Sequence, residues 1–233
     1  MQLNKYLINE IYEDNHLLVI EKPVNLPSQA DATGDPDLLS ILKQRLKDKY
    51  NKPGNVYLGL VHRLDRPVGG VMVFAKTSKA AARLSEQIQQ HQFEKSYLAV
   101  VHGTPAKSRA QLEHFLRKDP VKNKVTVFSK PVSQAKQAIL DYQVLETVNG
   151  LSLVGINLQT GRSHQIRAQL AAIGHPLYGD QKYGGQLNKA GEQLALWSIK
   201  VKFKHPVKEE QIAFESSPPD CYPWREFSYL SRE

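Results

Sequence analysis

The sequence has little cysteine and no long apolar run, and each shortage excludes a class of protein. Cys221 is the single cysteine among 233 residues, which excludes an intrachain disulfide framework. No apolar stretch approaches the length needed to cross a membrane. Residues 1–5 do not show the basic and then apolar order of a secretory signal peptide. Together these absences predict a cytoplasmic protein that does not act at a membrane.

The common cofactor signatures are missing as well. The cysteine stands alone and no His-x-x-x-His occurs, so the spacing of a zinc site is absent. Neither a Walker phosphate loop nor a dinucleotide-binding glycine pattern is found. We therefore expect no metal and no small-molecule cofactor, and a reaction that runs on side chains alone.

What the sequence has instead is positive charge. It carries 31 Lys and Arg against 23 Asp and Glu, a net charge of +8 with a pI near 9.4. This balance favours a polyanionic partner, of which nucleic acid is the commonest. The length suits one full core or a small two-lobed domain. Because no break in composition divides the chain, we expect a single domain over residues 1–233.

Ionisable residues are concentrated just before an apolar run. Four ionisable side chains and two glycines stand close together, at His62, Arg63, Asp65, Arg66, Gly69 and Gly70. The run 71–75 is short and β-branched, which is typical of a buried strand. One carboxylate flanked by cations thus lies on a loop beside a rigid strand, where chemistry is often placed. A solvated ion cluster explains the same pattern.

Two further segments carry candidate site residues. Residues 95–101 alternate as a strand does, which puts Lys95 and Tyr97 on one face. A tyrosine packed in a sheet is the ordinary interpretation of Tyr97. Residues 163–174 have helical spacing, with Ser163 as the cap and Gly174 at the end. Arg167 then lies at the edge of the apolar stripe, where it points into a cleft or simply to the surface.

Local signals predict the remaining elements. Asp35 and Pro36 predict a helix start, and Thr77 a second one. Residues predicted to form strands are 16–20, 138–145, 151–158, 197–203 and 212–214, with a hairpin turn at Asn149-Gly150. Residues 104–136 are interpreted as a basic arm with a short strand at 125–128, and a solvated loop explains their charge equally well. Trp224 and Phe227 are expected to pack back onto the fold. The Gly-Asp and Tyr-Gly pairs at 178–184 are explicable as turns.

The motifs resemble those of the RluA family of RNA pseudouridine synthases. The stretch His62-Arg63-Leu64-Asp65-Arg66 with Gly70 is similar to the central motif of this family, although Val68 and Gly69 stand where the family has Thr and Ser. Other similar stretches are Lys22-Pro23, with Asn25 in place of a glycine, and residues 95–103, 160–167 and 175–184. The resemblance covers about residues 14–216.

The resemblance implies an α+β pseudouridine synthase fold: a bent mixed, largely antiparallel sheet with flanking helices and a central RNA-binding cleft. It implies an enzyme that isomerises uridine in ribosomal or transfer RNA and lacks an N-terminal S4 RNA-binding domain. We expect the enzyme to be a monomer. The implied catalytic residues are Asp65, Tyr97 and Arg167, with Arg167 paired to Asp65. The implied RNA-binding residues are Arg63, Arg66, Lys95, Arg162 and His164. For His164 a capping or packed role is the favoured interpretation.

Two other interpretations stay open. The first is a catalytically inactive RNA-binding protein on the same fold, for which the Val68-Gly69 departure is the main support. Against it, we expect packing of Pro67 and Val68 to hold the loop. The second is a hydrolytic glycosidase, which normally needs two carboxylates at a fixed separation. No second carboxylate stands out in the motifs.

Overall fold

The computed structural model describes residues 7–231, which form two compact units. The first unit takes its described residues from 7–94 and from Ser198–Ser217, and the second consists of Lys95–Trp197 and 218–231. The polypeptide therefore leaves the first unit after Glu94 and returns to it at Ser198. That all of this acts as one catalytic domain stays a prediction, and chain length also allows the two-lobed alternative.

Residues 7–231 contain eleven strands and three α-helices. The strands are β1 (Asn9–Glu13), β2 (Leu17–Lys22), β3 (Gly59–Leu60), β4 (Gly69–Ala75), β5 (Glu94–His102), β6 (Arg109–Asp119), β7 (Lys124–Phe128), β8 (Lys136–Val148), β9 (Leu151–Leu158), β10 (Leu196–Lys204) and β11 (Gln211–Glu215). The helices are α1 (Leu38–Lys49), α2 (Ser78–Gln89) and α3 (Gln165–Ala172), and short 3₁₀ turns follow at Trp224–Glu226 and Ser228–Ser231. The α+β class that the sequence predicts is confirmed.

The first unit is built around β4. Its strands follow the order β1, β2, β4 and β10, while β3 also pairs with β4 and β11 with β10. The pairs β1–β2, β2–β4, β3–β4 and β10–β11 are antiparallel. All seven residues of β4 are buried, which explains why this strand reads as a continuous apolar run rather than an alternating one.

The two helices of the first unit cover different faces of this strand group. Val71 and Val73 of β4 belong to one core cluster with Ala80 and Leu84 of α2. On β2, the side chains of Leu18 and Ile20 instead line a small cavity together with Leu42 and Leu46 of α1. The alternation of side chains along a strand therefore sends one set to α2 and the other to α1.

The second unit has the strand order β5, β9, β8, β6 and β7, and these neighbours pair antiparallel. Asn149 and Gly150 join β8 to β9 with φ values of 51° and 77°, the left-handed pair that a tight hairpin turn requires, as predicted. Ala168 of α3 packs in a small cluster with Leu116 and Val125. Near the C-terminus, Trp224 and Phe227 are buried, which confirms that this segment packs back.

The helix starts are partly as predicted. Thr77 caps α2 and accepts a hydrogen bond from the Ala80 amide, as expected. The predicted cap Asp35 is wrong, because Asp37 is the N-cap of α1 and accepts from the amide of Ser40. Asp35 and Asp37 are two residues apart at the start of this helix. The sequence alone does not tell which of the two carboxylates accepts hydrogen bonds from the first backbone amides of the helix.

The start of α3 also differs from its prediction. The N-cap is His164 and not Ser163, and it has a left-handed φ of 51° without a side-chain capping bond. Gly174 follows the C-cap residue Ile173 with a φ of 87°, as the predicted helix end requires. The chain thus enters this helix through a strained residue.

The basic arm expected at residues 104–136 is a β-hairpin. The predicted strand at 125–128 is present as β7, but its partner β6, eleven residues long, was missed. Polar and charged side chains occupy the exposed positions of β6, and only Leu112 and Leu116 are buried. Because so few of its residues are apolar and buried, the sequence of this strand resembles that of a polar loop.

Candidate active site

The loop at 61–68 is fastened on both sides of Asp65. On the near side, Ser28 Oγ donates to the Leu64 carbonyl at 2.7 Å and accepts from the Leu64 amide at 3.3 Å. On the far side, the Val68 amide donates to the Asp65 carbonyl at 3.0 Å and closes a tight turn. Val68 is only 2% exposed. The packing of this residue that the sequence analysis expects is therefore present.

A buried lysine also holds this loop through hydrogen bonds to backbone carbonyls. Lys22 Nζ donates to the carbonyls of Pro23, Arg66 and Val68 at 2.9, 3.1 and 2.8 Å. Burial lowers the pKa of Lys22 to about 7, the charge of Asp65 opposes that shift, and the charge of Arg66 adds to it. The lysine side chain thus holds the turn through its backbone and lies within electrostatic reach of the carboxylate.

Sequence reasoning gave Lys22 no role beyond a motif match. The available signal was its position, because it directly follows the apolar strand residues 17–20 and the charge-bearing Glu21. A lysine that is 0% exposed is rare and needs hydrogen-bond acceptors. Two of the three carbonyls that accept from it, those of Arg66 and Val68, come from a loop more than forty residues further along the chain, and local patterns do not reveal such a contact.

Backbone requirements explain other residues of the loop motif. Gly70 has a φ of 109°, and a Cβ there would lie 2.2 Å from the Ser198 carbonyl oxygen, so no other residue fits. His62 Nε2 accepts from the Val73 amide at 3.0 Å, which fixes the ring against β4. Asn25 has a φ of 62°, so asparagine does adopt the left-handed backbone that was expected at this position.

The two arginines of the loop differ in exposure. Arg63 is exposed, as a residue that contacts RNA must be. Arg66 is half-buried, forms an ion pair with Asp35 and lies 3.4 Å from Thr33 Oγ1. The guanidinium of Arg66 therefore orders the neighbouring loop, and the RNA-binding role of both arginines stays a prediction.

In the second unit, Tyr97 lies on β5 opposite Ile156 of β9 and is 5% exposed. Lys95 lies two residues earlier on the same strand, and strand alternation puts both side chains on one face. This buried position agrees with the ordinary interpretation of Tyr97 as a tyrosine packed in a sheet. Its role against the target base stays a prediction.

A glutamine organises the loop before α3. Gln165 Oε1 accepts from Thr160 Oγ1 at 2.9 Å and from the Arg162 amide at 3.0 Å, while its Nε2 donates to the Ile139 carbonyl at 3.1 Å. Arg162 Nε donates to the Gln137 carbonyl at 2.9 Å. The residue types of this motif are explained by the hydrogen bonds that they make to one another and to β8.

Arg167 is buried and has a partner that the sequence did not identify. Its Nε and Nη2 donate to the two carboxylate oxygens of Asp180 at 2.7 and 2.9 Å, and the Tyr183 ring centroid lies 5.3 Å from the guanidinium carbon. Asp180 is 1% exposed and belongs to the segment 178–184 that was explicable as turns. The expected pairing of Arg167 with Asp65 stays a prediction.

His164 is linked to the hairpin through Tyr183. The Val125 amide donates to the Tyr183 hydroxyl at 2.8 Å, and this hydroxyl lies 2.9 Å from His164 Nδ1. This packed position agrees with the favoured interpretation of His164, and its RNA-binding role stays a prediction.

Asn188 is a second buried residue that the sequence analysis missed. Its Nδ2 lies within hydrogen-bond distance of three carbonyls, those of Leu177, Asp180 and Gly184. Its Oδ1 accepts from the Gly179 amide at 2.7 Å. These bonds hold the turn that presents Asp180 to Arg167, so the position of the ion pair depends on a side chain outside every motif.

The expected catalytic residues are distributed over both units. Asp65 belongs to the first unit, and Tyr97 and Arg167 belong to the second. Their mutual geometry stays a prediction. Within residues 7–231, no group of three His, Cys, Asp or Glu side chains is placed to hold a metal ion. In the same range, no helix combines the length and the apolarity needed to span a bilayer.

Comparison with known proteins identifies relatives along most of the chain. A family profile described as RNA pseudouridylate synthase matches residues 16–172. An uncharacterized RNA pseudouridine synthase of Aquifex aeolicus is 35% identical over 228 residues, covering 92% of this chain and 71% of that protein. Ribosomal large subunit pseudouridine synthase D of Pseudomonas aeruginosa is 33% identical over 228 residues, covering 92% and 69%.

A solved structure supports the same assignment at the level of fold. Human RNA Pseudouridylate Synthase Domain Containing 4 is similar with a TM-score of 0.77 at 23% sequence identity, covering 96% of this chain and 93% of that one. The family profile spans both Asp65 and Arg167. The chain belongs to the RNA pseudouridine synthase family, in the RluA-type group that its motifs resemble, and is an RNA pseudouridine synthase.

Proposed function

We propose that this chain isomerises specific uridines of structured RNA, with Asp65 as the essential carboxylate, Tyr97 against the uracil and Arg167 as the cation that supports Asp65. Ribosomal RNA is the favoured substrate, since similar proteins from Pseudomonas aeruginosa and Zymomonas mobilis are named for the ribosomal large subunit. Transfer RNA is the other substrate class. The uridine is flipped out of its stack to reach the enzyme, and Arg63 enters the gap.

The reaction requires no net oxidation or reduction. The bond between N1 of uracil and C1′ of ribose breaks, the base rotates, a bond forms between C5 and C1′, C5 loses its proton and N1 gains one. A carboxylate assists this sequence either by attack at C1′ or by removal of the C2′ proton, and the two routes are both open for Asp65. In either route Asp65 must be ionised, and a nearby cation favours that state.

The observation that carries the proposal is the contact between Lys22 and the Asp65 loop. A lysine that is 0% exposed donates to the backbone on the far side of Asp65 and interacts with its carboxylate charge. Burying an ammonium group is costly. The bonds from Lys22 fix the backbone that follows Asp65, and a catalytic carboxylate needs such a fixed position.

The alternative function is a catalytically inactive RNA-binding protein on the same fold. Its main support was the replacement of the usual Thr and Ser by Val68 and Gly69. Val68 is buried, and its carbonyl accepts from Lys22 at 2.8 Å, so the loop has an attachment that does not depend on hydroxyl groups. The departure from the motif therefore no longer favours the inactive alternative.

The test is the variant Asp65→Asn compared with Asp220→Asn. Asp220 has a side chain that is 93% exposed and lies outside the proposed site, so its variant controls for the loss of one carboxylate. Pseudouridine formation is measured on total RNA from cells that lack the gene. We expect Asp65→Asn to form no product and to bind RNA within a few fold of wild type, and Asp220→Asn to be fully active. Substantial turnover by Asp65→Asn rules the assignment out.

A further inference from the structure

The ring of Tyr183 lies against the guanidinium group of Arg167. The ring centroid is 5.3 Å from the guanidinium carbon, a distance at which an aromatic ring attracts a cation. Arg167 is 7% exposed, and Tyr183 is half-buried. The carboxylate of Asp180 accepts from Nε and Nη2 of the same guanidinium group. The position of this cation therefore depends on an aromatic ring as well as on its counter-ion.

The ring and the counter-ion belong to one turn of the chain. The Gly184 amide donates to the Asp180 carbonyl at 2.9 Å and closes this turn. Inside the turn, Asp180 Oδ1 accepts from the amides of Lys182 and Tyr183 at 3.0 and 3.2 Å. The carboxylate that binds Arg167 thus also binds the backbone that carries the ring. The ring has a fixed relation to the ion pair for this reason.

The hydroxyl end of Tyr183 is attached to the β6–β7 hairpin. The Val125 amide of β7 donates to the hydroxyl at 2.8 Å. Lys124 Nζ lies 5.7 Å from the ring centroid, and Lys182 Nζ donates to the Asn123 carbonyl at 2.7 Å. Two adjacent residues of the turn therefore contact the start of β7, and the ring is held at its backbone end and at its hydroxyl end.

We propose that Tyr183 is a positioning residue for the reaction, and that its ring holds the Arg167 guanidinium group in the orientation that catalysis uses. The inference rests on the proposed function, in which Arg167 supports Asp65. The two-point contact with Asp180 fixes the guanidinium group within its own plane, whereas a contact with a ring limits the tilt of that plane. A displacement of about 1 Å at a catalytic group can lower a rate by on the order of 100-fold.

Packing alone is the competing explanation. Tyr183 packs against a cluster of buried residues, namely Leu116, Val125, Ala138 and Ala168. A tyrosine that only fills space stabilises the fold and has no separate effect on Arg167. In that case turnover decreases only as far as the amount of folded protein decreases.

Two variants that remove different parts of Tyr183 distinguish the explanations. Tyr183→Phe keeps the ring and leaves the Val125 amide without its acceptor. Tyr183→Leu removes the hydroxyl and the ring but keeps an apolar side chain against the cluster. The experiment measures the melting temperature of each variant. It then measures kcat and the apparent KM for pseudouridine formation, at a temperature where both variants are folded, on total RNA from cells that lack the gene.

We expect stability to fall in both variants and turnover to fall in only one. Both lose the hydroxyl bond, so both should melt about 2–10 °C below wild type. Tyr183→Leu should lose roughly 10- to 100-fold in kcat while its apparent KM changes by less than about threefold. Tyr183→Phe should keep kcat within about threefold of wild type, because the turn still holds the ring on Arg167. If Tyr183→Leu does not fold, Tyr183→Met removes the ring and fills more of the space.

The orientation of Arg167 also has a signature that does not depend on activity. The Arg167 Nε–H signal is followed by NMR, and its exchange with water is measured. We expect exchange to be faster in Tyr183→Leu than in Tyr183→Phe, because only the first variant uncovers the guanidinium group. Equal exchange rates in the two variants would show that the ring does not hold it.

The matched control is Tyr12→Leu in the first unit. Tyr12 is also half-buried, its hydroxyl donates to Asp14 at 3.1 Å, and its ring centroid lies 5.1 Å from that of Phe214. This variant loses a hydroxyl bond and a ring contact, but no cation involved in the proposed reaction. We expect a lower melting temperature and a kcat within about threefold of wild type.

The outcomes separate this inference from the proposed function. If wild type forms pseudouridine and the Leu and Phe variants at position 183 have equal kcat, Tyr183 only packs, and the enzyme assignment stands. A large loss of kcat in Tyr12→Leu would likewise attribute the effect to stability and overturn the positioning role. If wild type modifies none of the RNA offered, the proposed function fails, and the positioning role fails with it.

Discussion

The two motif-bearing regions of the molecule are held in place by different means. In the Asp65 loop, one buried lysine outside the loop donates to backbone carbonyls, so the fastening hardly depends on which side chains the loop carries. In the region from Thr160 to Tyr183, side chains of the motif bind one another, as Arg167 does with Asp180 and Thr160 with Gln165. The first region therefore tolerates substitution where the second does not.

This difference explains why the sequence departs from its family where it does. The replacements of the usual residues by Val68 and Gly69 fall in the loop that is held through its backbone. Residues 160–167, in the other region, resemble the family motif without such a replacement. A departure from a motif is thus informative only when it is known which atoms the motif uses.

The largest expected effect comes from breaking the buried ion pair of the second region. Asp180→Asn leaves the Arg167 guanidinium buried without its carboxylate, and we expect a loss of about 3–5 kcal/mol of unfolding free energy. The control Glu94→Gln removes one partner of an exposed pair and should cost less than about 1 kcal/mol. Urea denaturation measures both. Equal losses in the two variants would contradict the role given to burial.

Arg167→Lys tests whether charge alone suffices in the same pair. The two-point contact of the guanidinium with Asp180 needs a planar fork, which lysine lacks. We expect the lysine variant to recover only part of the stability lost in Arg167→Ala and only part of the turnover. A fully active and fully stable lysine variant would show that the pairing is electrostatic only.

In the first region, Lys22→Met should affect activity more than stability. The variant leaves the carbonyls of Pro23, Arg66 and Val68 without their donor, which costs about 1–3 kcal/mol, but it also removes the cost of burying a charge. The Asp65 loop loses the attachment on the far side of Asp65 that Lys22 provides, so kcat should fall by more than tenfold. Lys79→Met removes an exposed lysine of α2 and serves as the control for the loss of one positive charge.

The titration of Lys22 gives a pH signature in the same region. Its pKa is lowered from 10.5 to about 7 by burial, partly offset by the charge of Asp65. Because the unfolded state keeps its proton up to higher pH, the contribution of Lys22 to stability increases between about pH 7 and 10.5. Activity should change in the opposite direction, since kcat/KM falls as the ammonium group loses its proton. In Lys22→Met this decrease should be absent.

The smallest effect is expected for Val68→Thr with Gly69→Ser, which restores the usual family residues. Because the backbone is already fastened, activity should stay within a few fold of wild type and stability should fall slightly as a hydroxyl group is buried. Pseudouridine formation on total RNA measures the outcome. If wild type is inactive on every RNA and the double variant gains activity, the natural protein is a binder rather than an enzyme.

The sequence predicted elements with strong local signals and missed contacts between distant residues. The apolar run of β4, the Asn149-Gly150 turn and the Thr77 cap were all predictable, because each depends on neighbouring residues only. Strand β6 was missed because its exposed side chains are polar. The roles of Lys22 and Asp180 were missed because their partners become neighbours only in the folded chain.

The path of the chain through the first unit has a consequence for biosynthesis. Strand β10 lies beside β4, and Phe203 stacks on Phe93 with ring centroids 4.7 Å apart, yet Ser198 is made about a hundred residues after Glu94. At 5–20 residues per second, the ribosome needs on the order of 5–20 s for that interval. During this time the edge of β4 that later pairs with β10 is uncovered. The nascent protein is therefore open to chaperones at this edge until β10 emerges.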